Sequence, residues 1–204
     1  MIFALQKWLK GEAYLQSLSC TQETLLAELT GKTVAIVGNA RSLTSARHGP
    51  DIDACDVVIR INSAPMPSPA SHGSKTTWLA LATNKLPNNL LADRAPNRLL
   101  WMSKKRRRLN ARFATHPGFY LHPQSDWTQL KNTLGAPPST GIMLIDMVAS
   151  SQAREIHLFG FDFFASRSLS GRRGAHQVPH KFDEERAMAE ALLAADPRIK
   201  LHPS

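Results

Sequence analysis

The stretch Pro138-Ser139-Thr140-Gly141 is where residue types and spacing most directly suggest chemistry. A Ser-Thr-Gly turn that opens a helix offers unpaired backbone N–H groups, two hydroxyls and the positive end of a helix dipole, a combination that suits phosphate or carboxylate. The same residues also suit a plain N-cap, in which Ser139 or Thr140 only satisfies the first helical turn. Local sequence leaves both readings open. A second such place is TVAIVGNARSL at 33–43, a β-branched run that stops at Gly38-Asn39 and restarts as a polar, helix-capable segment. It lacks the two further glycines of a dinucleotide fingerprint. Asp51-Ile52-Asp53 has the form of a metal-binding DxD pair. The net charge of +9 is concentrated in Lys104-Lys105-Arg106-Arg107-Arg108, with Arg112 and Arg172-Arg173 further on. Such a run attracts phosphate on a lipid, a glycan or a nucleic acid, or serves only as a solvated face. No RNA-binding aromatic signature, zinc finger or basic zipper accompanies it, so nucleic acid is not the expected partner.

These groups need a scaffold, and the pattern of apolar residues supplies one. The composition, 43% hydrophobic and 20% charged over 204 residues, is that of one globular domain and excludes disorder. Two cysteines, Cys20 and Cys55, are too few for a disulfide scaffold and lie in no metal-type spacing. No apolar run reaches the roughly 18 residues of a spanning helix. The opening MIFALQKWLKG is broken by Gln6, Lys7 and Lys10 and does not read as a signal peptide. Leu5, Trp8, Leu9, Leu15 and Leu18 fall at helical spacings, giving an amphipathic helical segment over residues 1–30. Within it Ser19-Cys20-Thr21-Gln22 forms a capping box for a second helix through Leu25, Leu26 and Leu29, ended by Gly31. Strands are expected at 33–38, 57–61, 78–81, 98–102 and 155–160, and a buried helix at 141–150. Short apolar strands alternating with helices imply an α/β, Rossmann-like, mostly parallel sheet flanked by helices, a single domain over residues 31–204. In such sheets ligands gather at the carboxyl ends of strands, where Gly38-Asn39 and Ser139-Thr140-Gly141 both fall.

Taken jointly, three segments resemble the motifs of glycosyltransferase family 29, the sialyltransferases. VAIVGNARSL, GPDIDACDVVIRINSAP and GSKTTW, from Val34 to Trp78, look like the large sialylmotif. PSTGIMLIDMVASSQAREIHLFGFD, Pro138 to Asp162, looks like the small one, and HKFDEE, with His180 and Glu185, looks like the very short His-x4-Glu motif. The order is the family's, over residues 34–204. The resemblance implies a GT-A-variant fold and an inverting transfer of an acidic sugar, sialic acid or similar, from a CMP-sugar to a hydroxyl of a glycan or glycolipid. It implies that Asn39 and Asn62 contact the CMP part of the donor, and that Ser139, Thr140 and Gly141 hold it from the opposite side. An asparagine amide both donates and accepts, so it can serve a phosphate or a sugar hydroxyl; Asn62 could equally cap a turn before Pro65.

For catalysis the resemblance implies direct displacement, with His180 as the base that takes the acceptor proton. Glu185 lies five residues on, off the same helical face; it either orients the loop holding His180 or complements a helix dipole. The family's phosphate-stabilising histidine falls in an interval that here reads SRSLSGRRGAHQVP, so the candidates are His176, Arg172 and Arg173. His157, inside a strand pattern, reads as a core residue satisfied by a neighbour. The family requires no cofactor and no metal, which argues against the DxD reading of Asp51 and Asp53. Its secretory members carry a disulfide whose positions here are Val34 and Ala153, as expected in a reducing compartment. The family's membrane anchor and stem also have no counterpart here. The expected setting is therefore cytoplasmic, in lipopolysaccharide-type biosynthesis, with Lys104–Arg108 and the amphipathic opening holding the enzyme peripherally at the inner membrane face. A CMP-Kdo-dependent transferase of lipopolysaccharide or capsule synthesis, or an inactive nucleotide-binding module, would share the nucleotide motifs.

Overall fold

The β-branched runs do form strands, and every strand pairing is parallel. The computed structural model describes residues 2–162 and 180–203. Its sheet has seven strands in the order β5-β4-β3-β2-β1-β6-β7. These are β1 (Thr33–Val37), β2 (Val57–Ile61), β3 (Trp78–Leu81), β4 (Arg98–Trp101), β5 (Phe119–Leu121), β6 (Glu155–Phe159) and β7 (Ile199–Leu201). The first five strands step outward from β1 in one direction, and β6 and β7 step outward in the other. The connection reverses between β1 and β6, so the crevice at their carboxyl ends is the switch point at which doubly wound sheets bind ligands.

Period-two alternation assigns each strand's side chains to two covered faces. Val34, Ile36, Val57, Ile59, Ile61, Ile156 and Leu158 face one layer. That layer is built from α2 (Gln22–Ala27), α7 (Gln124–Leu134), α8 (Thr140–Ala149) and α9 (Phe182–Ala195). On the other face Leu79, Leu81, Leu99, Trp101 and Phe119 pack under α1 (Ile2–Ser17), α5 (Leu90–Arg94) and α6 (Ala111–Ala114). Ala35, Val37, Val58 and Phe159 pack there under α3 (Gly49–Ala54). α4 (Pro69–His72) lies against α3.

Several expectations are revised. The cap of α2 is Thr21, whose Oγ1 accepts from Thr24 N at 3.1 Å, because Ser19 is otherwise engaged. Ser19 Oγ accepts from Leu121 N at 2.8 Å and donates to Cys20 O at 2.7 Å, pinning the chain beside β5. α2 ends at Ala27, before Leu29, and Gly31 follows in a turn with φ 70°. The basic run is not a uniform cationic face either. Arg106 bonds Glu12 through Nε at 3.0 Å and donates through Nη2 to His122 O at 2.6 Å, and only its neighbours Lys104, Lys105, Arg107 and Arg108 are exposed. Asp53 accepts from Ser74 N at 2.8 Å and Lys75 N at 2.8 Å, so it ties α3 to the loop before β3. His157 is satisfied as expected: Nε2 meets Glu155 Oε2 at 3.0 Å and Nδ1 meets His202 Nε2 at 2.8 Å. Val34 and Ala153 are buried core residues, and Cys20 and Cys55 are both free thiols.

Candidate active site

The two asparagines stand at the carboxyl ends of adjacent strands. Gly38 continues β1 by donating to Phe159 O at 2.8 Å, and a Cβ there would lie 2.3 Å from Gly160 O. Only glycine lets β1 and β6 approach so closely at the switch point. Asn39 follows at once, half-buried, its Nδ2 donating to Ile61 O at 3.3 Å. Asn62 follows β2 in the left-handed region, φ 56°, and Ala64 shares that region with φ 42°. Asparagine tolerates this conformation and alanine does so at a cost, so the turn stores strain beside the candidate site. Arg94 braces it by donating to Ala64 O at 3.0 Å. Asn62 does not cap the turn before Pro65: its Oδ1 accepts from Ala82 N at 2.9 Å, past the end of β3. That bond occupies the amide oxygen and leaves the NH₂ group as the donor available to a ligand.

Across the crevice, α8 begins at the Ser-Thr-Gly turn. Ser139 is its N-cap, Oγ accepting from Ile142 N at 3.3 Å. Ser139 is also gripped from outside: its N–H donates to Glu185 Oε1 at 2.7 Å and its hydroxyl to Glu185 Oε2 at 2.5 Å. Glu185 sits in the first turn of α9 and is 3% exposed. Burial raises its carboxyl above the ordinary value of 4.5, against the pull of the two Ser139 bonds and of His180. With Ser139 N–H so used and Ile142 N–H capped, Thr140 and Gly141 hold the first-turn N–H groups left for an anion among the described residues. A Cβ on Gly141 would lie 2.9 Å from the Phe161 ring, which keeps that position bare.

His180 lies in the loop before α9, as the sequence suggests. Its Nδ1 is 2.7 Å from Pro137 O. A carbonyl oxygen only accepts, so neutral His180 carries its proton on Nδ1 and keeps the lone pair of Nε2 for incoming protons. Three hydrogen bonds therefore fasten the start of α9 to the start of α8, one between His180 and Pro137 and two between Ser139 and Glu185. His180, Glu185, Ser139, Thr140 and Gly141 form one group, and Asn39 and Asn62 form a second at the ends of β1 and β2. His176, Arg172 and Arg173 lie outside the described residues. The sequence reading missed Pro137 O and Arg94, which act through backbone carbonyls and leave no signature in residue spacing. Among the described residues no cluster of three or more His, Cys, Asp or Glu has metal-binding geometry.

Residues 12–99 match the model of glycosyltransferase family 29 (sialyltransferase). Solved structures are similar in fold at low identity. A mammalian sialyltransferase superposes with a TM-score of 0.63 at 19% identity, covering 89% of this chain and 77% of that one. The sialyltransferase CST-II in complex with a trisaccharide acceptor and CMP gives 0.54 at 18% identity, covering 84% and 80%. CstII from Campylobacter jejuni in complex with the substrate analogue CMP-3FNeuAc gives 0.53 at 16% identity, covering 84% and 79%. The chain thus resembles glycosyltransferase family 29 in sequence over residues 12–99 and shares the fold of sialyltransferase structures over most of its length.

Proposed function

We propose that the chain is an inverting, metal-independent glycosyltransferase that moves sialic acid, or a similar acidic sugar, from its CMP conjugate to a hydroxyl of a glycan or glycolipid. Residues 31–204 form the transferase domain in this reading, and residues 1–30 a helical segment packed on it. The observation that carries the reading is the pairing of His180, Nδ1 bound to Pro137 O at 2.7 Å, with an α8 N-terminus whose Thr140 and Gly141 N–H groups meet no backbone acceptor among the described residues.

The chemistry follows from these groups. Asn39 and Asn62 hold the CMP moiety at the ends of β1 and β2, and the Thr140 and Gly141 N–H groups take an anionic group of the donor, with the acidic sugar's carboxylate suiting the dipole end. The acceptor hydroxyl attacks the anomeric carbon as the bond to the CMP phosphate breaks. His180 Nε2 takes the hydroxyl proton, and configuration inverts because attack and departure occur on opposite faces. Negative charge grows on the leaving phosphate, and His176, Arg172 and Arg173 are the residues proposed to meet it. Glu185 is a positioning residue that fixes Ser139 and, through it, the donor-binding turn.

Purified protein incubated with CMP-sialic acid, CMP-Kdo and a galactoside acceptor, with and without EDTA, tests the reading. Transfer from CMP-sialic acid that persists in EDTA supports it. Transfer from CMP-Kdo alone replaces the donor, and CMP binding without turnover of either reduces the chain to a binding module.

A further inference from the structure

We propose that His48, His157 and His202 form an acid-released clasp, which holds β7 and the residues after it against the connection between β1 and α3. The three rings crowd around one buried aromatic side chain. Phe159, 1% exposed, stacks on His202 with 4.2 Å between centroids, and His157 and His48 flank it at 6.2 and 5.4 Å. His202 lies 5.1 Å from the His157 ring and 5.6 Å from the His48 ring. Each comes from a different place: His157 from the middle of β6, His202 from the residue after β7, and His48 from the residue before α3.

Hydrogen-bond direction assigns the protons. The Glu155 carboxylate, held below its usual range by bonds from Lys200 and His157, only accepts, so His157 Nε2, 3.0 Å away, carries a hydrogen. In the neutral ring Nδ1 is then a lone pair, and it accepts from His202 Nε2 at 2.8 Å. Pro203 O likewise only accepts, so His48 donates to it through Nε2 at 2.7 Å. The run from His202 through His157 to Glu155 is thus complete with both rings neutral. One added proton leaves the N–H···N bond intact, because either ring holds the charge while the other keeps a lone pair or a hydrogen to match. A second proton puts hydrogens on both facing nitrogens. The bond is then lost, and two cations are left in contact.

The groups packed around the pair do not relieve that conflict. Lys200 on β7 and His48 before α3 add positive charge, Glu155 is shared between Lys200 and His157, and Asp51 on α3 stands 3.7 Å from His48 Nδ1. Burial first, and then the charges of His157 and His48, keep His202 below its ordinary value of 6.5, with Asp51 opposing. The folded protein therefore binds fewer protons than the unfolded chain as pH falls below that value. Stability from this site is fully present above it and is lost as pH drops through the lower folded value. The loss falls on an edge. β7 has three residues and pairs only with β6, and what holds the segment after it is the His202 N–H bond to Leu158 O at 2.9 Å, the ring pair and the His48 bond to Pro203 O.

The test uses the whole chain as wild type and as two variants, His157→Gln and His202→Gln. A glutamine amide presents an N–H or an oxygen as its partner needs, so either variant keeps a bond across the pair in both charge states. Lowering pH from about 7 to about 5 should cost the wild type about 2–4 °C more in melting temperature than either variant. His72, His116, His122 and Glu185 titrate in all three proteins and cancel from the difference. By nuclear magnetic resonance the His202 ring should titrate with a midpoint below 6.5 that moves up in His157→Gln. Exchange of the His202 amide, corrected for its intrinsic rate, should quicken at least ~10-fold at the acid end in the wild type only, with the β1–β2 ladder unchanged. Equal acid losses in all three proteins, a His202 midpoint at or above 6.5, or exchange that quickens equally in β7 and β1 would each overturn the clasp. A variant that melts lower at both pH values still reports, since the readout is its pH dependence.

The connection that His48 anchors begins at Asn39, so on the transferase reading acid release also loosens the donor side. At the acid end His202→Gln should then bind CMP more tightly than the wild type, the titration of CMP itself being common to both. Equal affinities would remove this consequence and leave the clasp, which does not depend on the transferase reading. Absence of CMP binding at every pH would remove that reading alone.

Discussion

Glu185 accepts both the backbone N–H and the hydroxyl of Ser139, at 2.7 and 2.5 Å, from a different helix and 46 residues away in sequence. The His-x4-Glu spacing is thereby explained. His180 and Glu185 do not share one helical face; His180 from the loop before α9 and Glu185 from its first turn each reach the segment that starts α8. In the proposed mechanism the first holds the base and the second holds the donor-binding turn. Replacing Glu185 by Ala should leave a half-buried N–H and hydroxyl without their acceptor, which costs on the order of 1–3 kcal/mol. Glu185→Gln should recover most of that stability, since the amide oxygen still accepts from Ser139 N. Chemical denaturation of the two variants checks the difference, and equal losses would mean that the charge rather than the hydrogen bonding matters.

The same carboxyl makes a pH prediction with a definite sign. Burial raises Glu185 above 4.5 in the folded protein, so the native state holds the proton more tightly than the unfolded chain. Its contribution is then fully present below the unfolded value and is lost as pH rises from 4.5 through the raised folded value. Measured against Glu185→Gln, which does not titrate, wild-type stability should fall across that window and level off above it. A difference that grows with pH would show that the Ser139 bonds outweigh burial and that the carboxyl is depressed instead.

The two asparagines should separate affinity from stability. Asn39 makes one long bond, 3.3 Å to Ile61 O, so Asn39→Ala should leave the fold nearly intact and weaken CMP by on the order of 1 kcal/mol, more if phosphate charge is involved. Asn62 holds Ala82 N at 2.9 Å from a φ of 56°, so Asn62→Ala should in addition destabilise the fold by about 1–2 kcal/mol. Asn62→Gly relieves the strain while still lacking the amide. If Gly and Ala at this position are equally unstable, the positive φ contributes nothing.

Much of this frame was readable in the chain, and the gaps have physical causes. β2 and β3 coincide with the expected runs Val57–Ile61 and Trp78–Leu81, because continuous β-branched or apolar runs between turn residues admit few other outcomes. β5 is only Phe119–Leu121, and β7 only Ile199–Leu201, too short for a period to declare itself. α7 carried its signal at Trp127, Leu130 and Leu134, spaced along one face, but a polar sequence around them hid it. The cap at Thr21 depends on Ser19 being drawn to Leu121, a contact across about half the chain that no local window contains. In the site, residue types were legible and their partners were not. Ser139 read as either anion ligand or N-cap; the cap is present, and Glu185, which no local window reveals, accepts from its N–H and hydroxyl.

Donor binding should register as stability. CMP at a hundredfold excess over its dissociation constant should add about 2.7 kcal/mol to the folded state, read as a shift of the thermal melt. The shift should survive EDTA, since Asp53 is already engaged by Ser74 and Lys75. Loss of the shift on chelation would return Asp51 and Asp53 to consideration as metal ligands, and a shift with NAD but not CMP would remove the donor assignment.

The sharpest separation of enzyme from binding module lies at His180. Its Nδ1 is committed to Pro137 O at 2.7 Å, so Nε2 is the nitrogen that can accept a proton. His180→Ala should lower transfer by roughly 10²–10⁴-fold, the usual worth of a positioned acid–base group, with the loss in kcat and with CMP affinity little changed. His180→Gln offers a second control, because its side-chain NH₂ can replace the donor to Pro137 O while supplying no base of suitable strength. If the fastening of α9 to α8 were the whole role of His180, Gln would restore turnover that Ala lost. If His180 is the base, Gln restores the melting temperature and leaves the rate as low as Ala does. Unchanged transfer in both variants would detach catalysis from this histidine and move the search for the base to His176.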